Sequence, residues 1–113
     1  MTDKITYSDF LNVDIRRGTV VEVEMFHEAR KPALKLWVNF GPEIGTLKSS
    51  AQITKHYKKE TLINKQVMAV VNFPVKQIGR FMSECLVLGF SDKNGDIVLA
   101  MPGIKVPNGG KMH

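Results

Sequence analysis

Leu34, Leu36, Val38 and Phe40 alternate with Lys35, Trp37 and Asn39, a period of two that belongs to a strand with one face buried and one face wet. The same period runs through Ile15 to Phe26, where Thr19, Val21, Val23 and Met25 alternate with a set containing Glu22 and Glu24. This predicts a long first strand, with Gly18 permitting a bulge. Gly41, Pro42 and Gly45 turn the chain into a third strand, Thr46 to Ser50. Val67 to Val71 is an apolar run of buried-strand length, and Cys85 to Phe90 supplies a fifth strand after a loop containing Pro and Gly. Asp92-Lys93-Asn94-Gly95 is a turn that folds Ile97 to Ala100 back as a further strand.

Helix signals are confined to two places. Thr6, with Asp9 three residues on, caps a short N-terminal turn carrying Tyr7, Phe10 and Leu11, which is expected to dock through those apolar anchors. Alternation also stops between Ala51 and Leu62, where the spacing suits a short helix. Three strands, a helix and two strands, with extra β structure at the C-terminus, predict an all-β chain: a five-stranded Greek-key barrel of the OB-fold class, with an SH3-like barrel as the alternative. At 113 residues the chain is read as a single domain, 1–113, large enough to bury a core without metal or disulfide.

Charge is distributed unevenly. From Lys48 to Arg80 there are seven bases (Lys48, Lys55, Lys58, Lys59, Lys65, Lys76 and Arg80) and one acid, Glu60, so this segment carries +6 while the whole chain carries +5. A basic surface of this kind neutralises phosphates and releases their counterions, which favours a polyanionic partner. Asn72, Lys76, Gln77, Arg80 and Ser83 place amide, hydroxyl and cationic donors in one stretch beside Phe73 and Phe81, the groups that meet phosphate oxygens and stack on unpaired bases. Trp37, on the polar side of its strand, is expected to be covered by a partner or presented to a ligand.

Other chemistries find little support. The single cysteine, Cys85, excludes an intrachain disulfide and a multi-thiolate zinc site, and its place at the start of an apolar strand suits a small buried hydrophobe. His27, His56 and His113 are far apart in sequence, and no nucleophile elbow, zincin, phosphate-loop or dinucleotide glycine pattern occurs. The reading is therefore no enzyme, no metal and no cofactor. With no secretory leader pattern and no apolar stretch approaching ~18 residues, a cytoplasmic protein without membrane insertion is expected.

Asp14-Ile15-Arg16, the stretch from Glu28 to Leu36, Lys48-Ser49-Ser50-Ala51-Gln52-Ile53-Thr54, and the segment from Asn72 to Ser83 together resemble the CsaA proteins. These are similar to the tRNA-binding OB-fold modules appended to some methionyl-tRNA synthetases. The resemblance spans Phe10 to Gly109. It implies a homodimer that grips the outer corner of tRNA by shape and has a chaperone-like role in protein secretion, with unfolded preproteins or peptides as further partners. The alternative is a peptide-binding chaperone whose basic cleft binds RNA incidentally. The family loop aligns with Asn72, Lys76, Ile78 and Ser83; Val75 stands where proline is usual, Gln77 replaces a second base, and Arg80 occupies a glycine position. The expected tRNA contacts are thus Asn72, Lys76, Arg80 and Ser83, flanked by Lys48, Ser49, Lys55 and Arg16. The implied dimer is built from the N-terminal helix and C-terminal strands, with Phe10, Leu11 and Trp37 as its apolar anchors.

Overall fold

The computed structural model describes residues 2–113. The extended runs form β1 (Ile15–Met25), β2 (Leu34–Asn39), β3 (Thr46–Ala51), β4 (Gln66–Val70), β5 (Lys76–Ile78), β6 (Phe81–Ser83), β7 (Leu86–Val87), β8 (Gly89–Ser91) and β9 (Ile97–Leu99), with the short helices α1 (Tyr7–Leu11) and α2 (Lys59–Leu62). Five strands make one antiparallel sheet in the order β3-β2-β1-β4-β7. That sheet curls until its ends approach: the backbone N–H groups of Glu84 and Cys85 donate to the Lys48 carbonyl at 2.7 and 3.2 Å. The result is a nearly closed five-stranded barrel with its helix between the third and fourth strands, the OB-fold.

Its core follows from the β2 alternation. Leu34, Leu36, Val38 and Phe40 are all buried, packing against Val20, Val23, Leu62, Val67 and Leu99. Each such side chain stabilises the fold by about 1.5–3 kcal/mol relative to exposure. Strand β1 departs from the expected pattern. Its register shifts between Val20 and Glu22, so Val20 and Val23 face inward while Val21 stays 44% exposed. The bulge is therefore at Val21 rather than Gly18, and it switches which set of residues meets the core. Gly18 serves packing instead, since a Cβ there would lie 2.4 Å from Val38 Cγ1.

The C-terminal tail completes the barrel wall. Gly109 donates to the Arg17 carbonyl at 2.7 Å, Arg17 to that of Gly110 at 2.9 Å, and Met112 to that of Ile15 at 2.8 Å. Arg17 is only 6% exposed. Its guanidinium donates to Gln66 Oε1 at 2.9 Å, to Thr19 Oγ1 at 2.6 Å and to Asn108 Oδ1, and burial lowers its pKa. Neutral acceptors satisfy this buried cation, which ties the tail to β1 and β4.

Two expected pieces differ in form. The loop after β4 is a β-hairpin, with Lys76 opposite Ser83 and Ile78 opposite Phe81, because Gly79 (φ +61°) turns it tightly enough for pairing. The capping box of α1 is present, with Thr6 and Asp9 exchanging hydrogen bonds at 3.0 and 3.1 Å, yet no residue of the helix is buried. Of its apolar anchors, Tyr7 and Leu11 are exposed and Phe10 is half-buried.

Candidate nucleic-acid interface

Hairpin β5–β6 stands over the outer face of β2 and β3, and what holds it there is aromatic. Phe81 and Phe26 are buried together with ring centroids 5.3 Å apart, and Trp37 meets Phe81 edge-on at 6.2 Å. Lys35 Nζ lies 4.9 Å from the Phe26 centroid, and Lys48 Nζ lies 5.5 Å from that of Phe81. Ring faces carry negative potential, so these ammonium groups are held at the surface with their stems covering the cluster.

Clefts run along this side of the barrel and share their walls. One of about 300 Å³ lies between Phe73, Lys76, Ser83, Cys85 and Leu86. Lys76 also borders a second, about 540 Å³, whose other wall is the β1–β2 loop with Arg30 and Lys31. Lys31 and Gln52 line both this cleft and a third that reaches Lys55 and Asp96. The clefts thus form one trough from Phe73 to Lys55. Lys76, Arg30, Lys31 and Lys55 stand along it with the acids Glu28, Glu84 and Asp96.

Of the eight residues nominated from sequence for RNA contact, Lys76 and Ser83 line these clefts, Lys48 stands beside them over Phe81, Arg80 sits at the exposed hairpin turn, and Lys55 lies at the far end. Three are engaged within the chain itself. Ser49 is 1% exposed and points into the core, because β3 alternates and Lys48 and Ser50 take the outer face. Asn72 accepts from Asp14 N–H at 3.0 Å and donates to the Asn12 carbonyl at 2.8 Å, so its amide tethers the exit of α1. Arg16 is paired with Asp14 at 2.6 Å, which raises its pKa, and donates to the Gly109 carbonyl. Beyond Lys55, Lys58 lines a neighbouring groove with it, and Lys58 and Lys59 line another with Val23 and Met25, where Lys59 pairs with Glu22 at 3.1 Å.

Trp37 gains an intrachain partner in Phe81, so its place on the wet side of β2 needs no second subunit to explain it. Sequence reasoning missed Arg30, Lys31, Lys35 and Gln52. The signal was available for the first two, since the loop between the first two strands of such a barrel flanks its binding face.

Cys85 forms part of one cleft wall yet is 6% exposed, and burial pushes its thiol up to about 12, overriding the Ser49 hydroxyl, which favours the thiolate. Among the described residues, Ser49 Oγ is the one buried side-chain polar atom with no conventional hydrogen-bond partner, and the neighbouring sulfur is a weak substitute. The expected outcome with a disulfide reagent at neutral pH is no labelling of the native protein, and labelling in step with unfolding when denaturant is added. Immediate stoichiometric labelling of the folded chain would contradict this environment.

A single barrel of this strand order, with a loop and a hairpin framing a cation-lined face, defines an OB-fold module of the class that hosts oligonucleotide or oligosaccharide sites. The family model described as a tRNA binding domain matches residues 15–111. The crystal structure of chaperone CsaA from Bacillus anthracis superposes with a TM-score of 0.92 at 50% identity, covering 98% of this chain and 100% of that one. The CsaA chaperone protein of Picrophilus torridus gives 0.90 at 53% identity, covering 97% and 100%. A methionine–tRNA ligase of Porphyromonas gingivalis is 34% identical over 112 residues, 99% of this chain but 16% of the ligase. The chain therefore spans about one sixth of the curated relatives it matches. It belongs to the tRNA-binding domain family, within which it is of the CsaA type. No helix among the described residues is long and apolar enough to cross a membrane.

Proposed function

We propose that this chain is a single tRNA-binding domain, residues 1–113, that holds folded tRNA by shape and charge in the cytoplasm and performs no chemistry of its own. The observation that carries the reading is the trough: Lys76, Arg30, Lys31 and Lys55 along one side of the barrel, with Lys48 and Arg80 beside it. Cations on a rigid sheet and a short hairpin track a phosphate backbone at fixed spacing, which favours a folded RNA over a flexible strand. Asn72 and Arg16 act indirectly, by fixing the segments that flank β4 and β1.

The working unit in this reading is a homodimer. Its support is the apolar surface left uncovered on α1 and the C-terminal strands, where Tyr7 and Leu11 are exposed and Phe90 is 70% exposed. Phe10 and Leu11 remain the anchors expected there, while the Trp37 ring is met edge-on by Phe81 of its own chain. A chaperone-like role in protein secretion has a separate support, the Phe73–Leu86 cleft with Val75 exposed nearby, an apolar seat beside a cation for an unfolded preprotein or peptide. Competition between tRNA and an unfolded client measures whether the two sites overlap.

The test of the main reading is a gel-shift titration of whole tRNA and of an isolated stem-loop at several salt concentrations. Whole tRNA is expected to bind more tightly. If a dimer neutralises ~6 phosphates, log affinity falls with log salt with a slope near −5. A flat salt response, or equal affinity for the stem-loop, would overturn the proposal.

A further inference from the structure

One wall of the 540 Å³ cleft carries an ionised acid where a plain phosphate site would carry none. Glu28 is 64% exposed on the β1–β2 loop, its carboxyl held below the usual range first by its own backbone N–H and then by Lys35, whose Nζ lies 3.5 Å from Oε2. A carboxylate repels phosphate but accepts hydrogen bonds from base edges. Around it the cleft is amphipathic. Ala29, Ala33 and Ile78 line it with apolar surface backed by the Phe26–Phe81 cluster, while Arg30, Lys31 and Lys76 stand as cations at its walls. Apolar surface suits the faces of a base, cations suit its flanking phosphates, and the volume falls within the roughly 300–1,000 Å³ of small-ligand clefts.

The four bases differ in what they offer a carboxylate. Guanine presents two adjacent donors on its Watson–Crick edge, the ring N1–H and the exocyclic amino group, spaced to meet both carboxylate oxygens. Cytosine and adenine place a ring acceptor beside their amino group. Uracil has a single N–H flanked by two carbonyl oxygens, which the carboxylate repels.

We propose that the cleft between the β1–β2 loop and hairpin β5–β6 is a subsite for one unpaired guanine, read by the Glu28 carboxylate, with Arg30, Lys31 and Lys76 holding the phosphates on either side. This rests on the tRNA-binding reading of the same face and adds base discrimination to it. Lys35 is a positioning residue, since its ammonium group bridges Glu28 and the Phe26 ring.

The experiment uses the full chain and three labelled RNA pentamers, UUGUU, UUIUU with inosine at the centre, and UUUUU, titrated by fluorescence anisotropy beside whole tRNA. UUGUU is expected to bind roughly ten-fold more tightly than UUUUU, the scale of one two-point contact to a base. Inosine, which keeps the ring N–H but lacks the amino group, should fall between them. Glu28→Gln, which leaves one acceptor oxygen, should reduce the guanine preference to about two-fold or less while UUUUU binds as well or better. The subsite is overturned if UUGUU and UUUUU bind alike, if the variant keeps the preference, or if tRNA binds and no pentamer does. The last result leaves the tRNA reading standing; failure of tRNA itself to bind removes both.

Discussion

Replacing Lys48 and Lys76 together by glutamine is expected to weaken tRNA binding by roughly 100-fold near 0.1 M salt, if each removes one charge-assisted hydrogen bond worth ~1.5 kcal/mol. Lys76 is exposed on the hairpin and borders two clefts, and Lys48 stands beside them with its ammonium group 5.5 Å from the Phe81 ring centroid. The salt slope should become shallower by about one for each phosphate that is no longer neutralised. Glutamine retains most of each stem, which keeps Phe81 covered and the thermal midpoint near that of the parent. Lys59→Gln is the single-charge control, because Lys59 is tied to Glu22 away from Lys48 and Lys76 and should change affinity by less than about two-fold. An equal loss of log affinity per charge removed in the two variants would mean that total charge, rather than the trough, attracts the RNA. Gel shifts across a salt series measure both quantities.

Gly109→Ala is expected to destabilise the fold by about 3–5 kcal/mol in urea unfolding. Gly109 has φ +82°, and a Cβ there would stand 2.6 Å from the backbone carbonyl oxygen of Phe40. The left-handed conformation costs an alanine about 1–2 kcal/mol. The larger part comes from relieving the clash, since moving the tail strains the Gly109–Arg17 backbone bond and the acceptor at Asn108 for the buried Arg17 guanidinium. A hydrogen bond to a charged group is worth about 1.5–3 kcal/mol. Gly45→Ala separates the two effects. Its φ of +84° is almost the same, but nothing lies within 4 Å of a Cβ there, so only the conformational cost should appear. Similar destabilisation in the two variants would show that the tail does not lock the barrel as described.

Much of the architecture could be read from the chain because strand formation is encoded locally. Leu34, Leu36, Val38 and Phe40 alternate within one segment, and they are buried as that alternation requires. Thr6 and Asp9, three residues apart, cap α1 for the same reason. Where a local pattern was interrupted the reading slipped. The register shift at Val21 changed the phase of β1, and turn geometry at Gly79 made a hairpin of an expected loop. The site was less legible still. Ser49 and Lys48 are adjacent, yet strand pleating sends one inward and the other to the face. Asn72 reaches back to Asn12 and Asp14, and Arg16 reaches forward to Gly109, partners 58 to 93 residues away that composition and spacing do not reveal.

By itself, the sequence determined a small β-barrel with its positive charge concentrated in one segment, because side-chain period and charge count are properties of neighbouring residues. Only the tertiary structure decided which cations of the chain lie near one another. Barrel closure carries Arg30 and Lys31 across to Lys76, turns Lys59 toward Glu22, and commits Arg16 and Asn72 to holding the chain in place. Electrostatic recognition depends on distance in space, and distance in space is set by long-range strand pairing.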